Sequence, residues 1–365
     1  MPNVRVKNIN SIMPLSVKFA RFSFNGSSEA RLRIYHKLAS LLRNNFSLSD
    51  ALERIWMIES YDGKKVEEAP AIALSAWIYE LQKGRSFADA ISGWVPERER
   101  MMLMAGDMSR LEVSLVNLIR VSEGYKRILE PLKSALAYPA FLILLTFLLL
   151  IMIGLKMVPP MAEFFEGKEV GGMAGSLIDL SEFMLHYWFY IPPAVIAVFV
   201  VIGMSLKYLT GPLRKFLDKV PPWSLYRMFS GVSLLLSLSA LVKAGVPIVK
   251  GVQMIRKDST IYLTERLDLT LAYMRNGANL GQALNRTGFE FPTREIIGDL
   301  TIYSELDNFQ EALEKIASEF LEDSIKLIKA QAAILNGIAL MFIFAVVAWV
   351  LFGIFDISNQ IQNTF

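Results

Sequence analysis

The chain of 365 residues contains no cysteine and only two histidines. The first absence excludes disulfides, thiolate metal sites and a cysteine nucleophile together. His36 and His186 fall on opposite sides of the membrane assigned below, so they form neither a metal pair nor a catalytic dyad. His36 is read as a partly exposed helix residue, and His186, beside Tyr187 and Trp188, as part of an interfacial aromatic belt. Neither Gly63-Lys64 nor Gly167-Lys168 has the earlier glycine and following hydroxyl of a phosphate-cradling loop. Period-two alternation is also missing from the polar segments, so the expectation there is helix throughout.

Three stretches lack Asp, Glu, Lys and Arg entirely: Ser134 to Leu155, Phe183 to Leu206 and Ala330 to Phe355. Each exceeds the roughly 20 helical residues needed to cross a hydrocarbon core of about 30 Å. Orientation follows from basic flanks, because Lys and Arg are retained in the cytoplasm. Lys126, Arg127 and Lys133 precede the first stretch, Lys207, Arg214, Lys215 and Lys219 follow the second, and Lys326 and Lys329 precede the third. The connection from Pro159 to Glu182 has one basic residue, Lys168, against five acidic ones, and the tail after Phe355 has none. The predicted order is a basic arm (1–28), a cytoplasmic helical bundle (29–133), a first span (134–158) and a periplasmic loop (159–182). A second span (183–206), a second cytoplasmic bundle (207–329), a third span (330–355) and a short periplasmic tail (356–365) follow. No cleavable signal peptide is expected, since the first 28 residues have no continuous apolar core. The fold class is all-α integral membrane: two repeated cytoplasmic helical bundles plus three transmembrane helices.

The two bundles repeat. An offset of 200 aligns Leu38–Leu52 with Leu238–Val252; in each copy a helix ends on a basic residue, Arg43 or Lys243, suited to the negative end of the helix dipole. Asn45 and Gly245 then take the helix-stop position that accepts positive φ. Ser47 or Ser49 offers the next N-cap in the first copy, and Pro247 suits the first turn in the second. A second joint pairs Gly84-Arg-Ser86 with Gly277-Ala-Asn279, with Asp89 or Gln282 three residues beyond the cap, close to a capping box. Trp94-Val-Pro96 and Phe291-Pro292 mark a third break, and Ala105–Leu111 corresponds to Tyr303–Phe309.

Ionisable residues within spans mark ion pathways, and these spans have none, which argues against transport. Pro139 is expected to kink the first span. Gly154, Gly203 and Gly337 are candidates for close helix approach in an oligomer. Asp107 and Glu305 sit at matching places near the start of the last soluble helix of each copy, either as ordinary N-terminal charges or as a contact to a basic partner or a cation. The basic arm is a solvated tail or a contact for anionic lipid or an acidic partner. No catalytic, cofactor-binding or metal-binding residue is predicted, and no nucleic acid partner.

The ordered motifs resemble the type II secretion system protein F domain: Leu-x-x-Leu-Leu-x-Asn/Gly from Leu38 and Leu238, Gly-x-Ser/Asn at Gly84 and Gly277, Ala105-Gly-Asp-Met-Ser-Arg-Leu111, Tyr138-Pro139, and Val158-Pro159-x-x-Ala-x-Phe-Phe165. Asp107 stands where the family usually has Glu, Arg110 where it has a second Gly, and the second copy lacks both glycines, which leaves the roles of Asp107 and Glu305 open. The resemblance implies a non-enzymatic inner-membrane platform of a type IV pilus, of the type IVb or conjugative kind, or of a type II secretion machine. It implies oligomers and no cofactor. Implied partners are a cytoplasmic assembly ATPase, pilin or pseudopilin subunits, other inner-membrane assembly proteins and the lipid bilayer. Within that reading Arg43, Arg85, Asp107, Lys243 and Glu305 are candidate partner contacts, the first bundle supplying more of the ATPase contact. A channel or transporter component with regulatory cytoplasmic bundles is the alternative, weakened by the uncharged spans.

Overall fold

The computed structural model describes residues 14–105, 111–163, 170–305 and 308–362. The described residues form helices and no strand. In chain order these are α1 (Pro14–Gly26), α2 (Ser28–Arg43), α3 (Leu48–Glu59), α4 (Ala69–Gln82), α5 (Phe87–Ala90), α6 (Glu97–Ala105) and α7 (Leu111–Met152). A π-turn (Ile153–Met157) leads to α8 (Val158–Ala162), α9 (Gly172–Tyr187), α10 (Ile191–Tyr208) and α11 (Gly211–Leu217). The second copy is α12 (Trp223–Lys243), α13 (Ile248–Lys257), α14 (Ile261–Arg275), α15 (Leu280–Arg286), α16 (Arg294–Tyr303) and α17 (Phe309–Gln362). Helices α2–α7 and α12–α17 thus repeat one order.

The joints form as their residues dictate. Asn45 and Gly245 sit at φ 62° and 86°, and Gly84 and Gly277 at 79° and 86°, each reversing the chain after a helix. Ser47, not Ser49, caps α3, its hydroxyl accepting from the Asp50 amide at 3.2 Å. Ser86 caps α5 in the same way, and Asn279 with Gln282 makes a full capping box on α15.

Two compact units result: residues up to Ile128 with Tyr226–Glu322, and Leu129–Leu225 with Asp323–Phe365. In the first unit, both copies share one core. Trp77 of α4 lies between the rings of Phe24 and Phe87, edge to face at 5.7 and 5.9 Å. Phe24 belongs to α1, so residues 14–26 of the predicted arm are a helix packed on α4. The second copy buries Arg266 over the rings of Tyr262, Phe289 and Phe291.

Among the described residues, four helices have the length and composition to cross a membrane: α7 with its continuation to Ala162, α10, α12 and α17. They differ in surroundings. The most apolar window of α12 is 72% buried, whereas those of α10 and α17 are 0% and 11% buried. α12 is therefore a core helix, its apolarity spent inside the protein, and the other three present apolar side chains outward. The charge-free run from Phe183 is divided between α9 and α10, with turns at 188–190; Pro192 and Pro193 suit the first turn of a new helix because their missing N–H groups need no partner there. Pro131 and Pro139 both lie inside α7.

In the second unit, α9 packs against the π-turn. Ser181 donates to the Gly154 carbonyl at 2.6 Å, and Gly353 of α17 lies against Leu177. Asp356 accepts from the Ala174 amide at 3.0 Å, capping α9 from 182 residues away in sequence.

Candidate functional site

The centre of the first unit is the meeting of α7, α12 and α17. A Cβ added at Gly124 of α7 would stand 2.6 Å from Leu236 Cδ1 of α12 and 3.5 Å from Leu321 Cδ2 of α17, so the two leucines fill the space that glycine leaves where these helices meet. Ion pairs flank this contact. Glu314 of α17 receives both Arg120 of α7 and Lys243 of α12, the latter at 2.7 Å, and two turns further on Arg127 meets Glu322 at 2.5 Å. Burial and the neighbouring Arg120 charge push the Lys243 amine below its usual value.

Beside this crossing lies a cavity of about 120 Å³ between the copies, lined by Met101, Met102, Tyr125, Phe229, Ser233 and Met254 among others. Tyr125 bonds the Ser233 carbonyl and the Ser237 hydroxyl, both at 3.3 Å, and Arg98 lies 3.7 Å from the centre of its ring. Arg98 also donates its backbone N–H to Asp258 at 3.1 Å. Burial raises the Asp258 carboxyl despite Arg98.

The first copy is further tied by a buried trio. Arg31 of α2 forks onto Glu99 of α6 at 2.9 Å, and Tyr35 donates to the same carboxylate at 2.7 Å. Burial, then Glu99, pushes the Tyr35 phenol well above its ordinary value. An acid and a phenol sealed from solvent have no access to a substrate, so this trio braces α2 on α6. Glu59 of α3 similarly receives Arg33 and Lys37 of α2, both at 2.8 Å.

The predicted partner contacts are dispersed. Arg43 pairs with Glu112 and Arg85 with Glu80, each at 3.0 Å with an exposed guanidinium, Glu80 being half-buried, and Lys243 belongs to the crossing. An exposed pair such as Arg43–Glu112 is worth about 0–1 kcal/mol, so it yields readily to a better partner. Glu305 is exposed at the end of α16, and Asp107 lies outside the described residues. Of the three span glycines, Gly154 packs within the chain, its Cβ position 3.1 Å from Met184, while Gly203 and Gly337 have nothing within 4 Å. His36 pairs with Glu123 at 3.0 Å on the surface, and among the described residues no group of three or more metal-ligating side chains forms. Sequence reasoning missed Gly124, Glu314 and the Arg31–Glu99–Tyr35 trio. A signal for the trio existed: Arg31 lies on the apolar face of α2 with Leu32, Tyr35 and Leu38.

A family model described as type II secretion system protein F matches residues 234–356. Over 344 residues the chain is 25% identical to the toxin coregulated pilus biosynthesis protein E of Vibrio cholerae, covering 93% of this chain and 98% of that one. It is 23% identical to the type IV pilus assembly protein PilC of Myxococcus xanthus, over 78% of this chain and 71% of that one. It is 21% identical to the protein transport protein HofC homolog of Escherichia coli, over 89% and 82%.

Proposed function

We propose, from the match of residues 234–356 to the type II secretion system protein F model, that the chain is an inner-membrane platform that docks a cytoplasmic assembly ATPase and couples it to the addition of pilin subunits to a filament. The names of two of these relatives favour a pilus over a secretion machine. The role is a scaffold's and not an enzyme's. By the distribution of basic flanks, the first unit is cytoplasmic and the C-terminal end periplasmic.

One observation carries the reading: the last helix of each copy is clamped to the other at Gly124 between two sets of ion pairs, and both helices, α7 of 42 residues and α17 of 54, continue past this contact into their apolar stretches. A push on either copy is therefore delivered to both apolar helices. Arg43 and Arg85 on the first copy, with Asp107, Lys243 and Glu305, are the proposed partner contacts, and Gly203 and Gly337 offer open, side-chain-free positions for a second copy in an oligomer.

Copurification of the tagged full chain with the assembly ATPase of its own system tests the docking. The ATPase should co-elute, and Arg43→Glu with Arg85→Glu should weaken that association while leaving the thermal transition of the chain in place. Failure to associate, together with normal filament assembly in a strain lacking the chain, removes the proposal.

A further inference from the structure

Helix α1 has two faces of opposite character. Ala20 and Phe24 point into the first unit, at 3% and 1% exposure. Phe19 and Phe22, three residues apart and so on one face, are 73% and 81% exposed. Among the described large apolar side chains, exposure above 70% is otherwise reached only by Met341 and Phe344, both in the apolar stretch of α17. Phe19 and Phe22 are thus as open as side chains whose surroundings are lipid.

Charge points the same way. Lys18 and Arg21 alternate with the two rings and are exposed, and α1 contains no acidic residue. A shallow groove beside them is lined by Lys18, Arg21, Phe22, Asn25, Gly26 and Gly93, and Arg21 lies 5.0 Å from the centre of the Trp94 ring. Two aromatic rings alternating with two cations on the exposed side of one helix is the composition that enters a headgroup layer: the rings leave water and the cations meet phosphodiesters. A protein occupant of such a narrow basic face would have to be acidic and apolar together. A bilayer, by contrast, is held at high effective concentration by the chain's own apolar helices.

We propose that the outer face of α1 is a membrane-surface contact, with Phe19 and Phe22 entering the interface of an anionic leaflet and Lys18 and Arg21 pairing with its headgroup phosphates. This contact is separate from docking of an ATPase and tethers the first copy of the repeat on its N-terminal side.

The lack of cysteine makes the test clean. Ser23→Cys, exposed and adjacent to Phe22, provides a single attachment point for a nitroxide on the full chain, reconstituted into vesicles of phosphatidylcholine with or without phosphatidylglycerol. Accessibility to oxygen and to a water-soluble nickel chelate then reports depth. In vesicles containing phosphatidylglycerol the label should be shielded from nickel and open to oxygen, less so without the anionic lipid or at high salt. Phe19→Ser with Phe22→Ser should return it to water, with the tryptophan-detected thermal transition unchanged because neither ring is in the core. Equal nickel access in both vesicles overturns the proposal. So does shielding that survives the double substitution. Shielding that vanishes on removing residues 1–13 would assign the face to the chain's own arm, and shielding that needs added ATPase would assign it to protein; each overturns the lipid contact.

Discussion

The two copies of the repeat place their helices in the same order and fasten them by different means. At the position equivalent under the 200-residue offset, α2 carries Arg31 and α12 carries Gly231. Arg31 reaches Glu99 through a buried, forked ion pair, whereas Gly231 lets α12 close on Pro292, whose Cβ lies 2.5 Å from where a Gly231 Cβ would be. Where α6 buries Glu99, α16 buries Ile296 and Ile297. One helix on, α2 and α3 are joined through the ion pairs of Glu59, while α12 and α13 pack Gly251 against Leu238. One architecture thus accepts either a satisfied charge pair or a close backbone approach at the same crossing, provided that the whole pair is changed together.

The largest effect should come from breaking the charged fastening by half. Glu99→Ala leaves the Arg31 guanidinium and the Tyr35 hydroxyl buried without their acceptor, a loss on the order of 3–5 kcal/mol. Thermal unfolding of the detergent-solubilised chain, read by tryptophan fluorescence, should show it. Replacing the trio together, Arg31→Met and Glu99→Leu with Tyr35→Phe, should recover most of that loss by giving the first copy an apolar contact like the second's. If the triple variant is as unstable as Glu99→Ala, the two fastenings are not interchangeable and the comparison fails.

Next in size is the reciprocal change, Gly231→Ala. Its Cβ would meet Pro292 Cβ at 2.5 Å and Phe320 Cε1 at 3.1 Å, neither of them the loose end of a flexible chain. Overpacking of about 1–3 kcal/mol follows, visible as a lowered transition temperature. An unchanged transition would mean that the copies pack less differently than Arg31 and Gly231 indicate.

These fastenings explain what was legible in the sequence. Joints are local: Asn45, Gly84, Gly245 and Gly277 bend the chain through their own φ, and Ser47, Ser86 and Asn279 cap amides three residues away. The three apolar helices were equally plain, since charge-free runs need no partner to be seen. Crossings are not local. Arg31 and Glu99 are 68 residues apart, and nothing near either names the other; Gly124 looks like any helix-weakening glycine until Leu236 is set against it. Helix α1 was hidden for another reason, as its basic residues suggested a tail while only Ala20 and Phe24 mark its buried face. The break between α9 and α10 was obscured because the aromatic turn at 188–190 is as uncharged as a span.

A smaller effect separates the copies by pH. Burial by itself would raise the Glu59 carboxyl, but hydrogen bonds from Arg33 and Lys37 outweigh it and hold the group below the usual glutamate range. A depressed folded-state value stabilises the protein above the ordinary glutamate pKa of about 4.3, and that contribution is lost as pH falls through the folded value. Acidification through this window should therefore lower the transition of the parent chain more than that of Glu59→Gln. The equivalent joint of the second copy, a glycine against leucines, has nothing to titrate. Parallel acid profiles for parent and variant would show that Glu59 does not distinguish the joints.

The smallest expected effect tests that second-copy joint directly. A Cβ at Gly251 would stand 2.9 Å from Leu238 Cδ1, closer than van der Waals contact, yet that methyl is the end of a flexible side chain and the next nearest atoms, both of Leu241, are at 3.8 Å. Leu238 must shift, but alanine in a helix interior gains roughly 0.5–1 kcal/mol over glycine. The first copy already has alanine here, Ala51, fully buried between the same pair of helices. Gly251→Ala should therefore leave the thermal transition almost unmoved, whereas Ala51→Gly should lower it through both weaker helix propensity and the loss of a buried methyl group. A loss at Gly251 as large as that at Gly231 would mean that Leu238 is held as firmly as Pro292, and that close approach braces both crossings of the second copy instead of one.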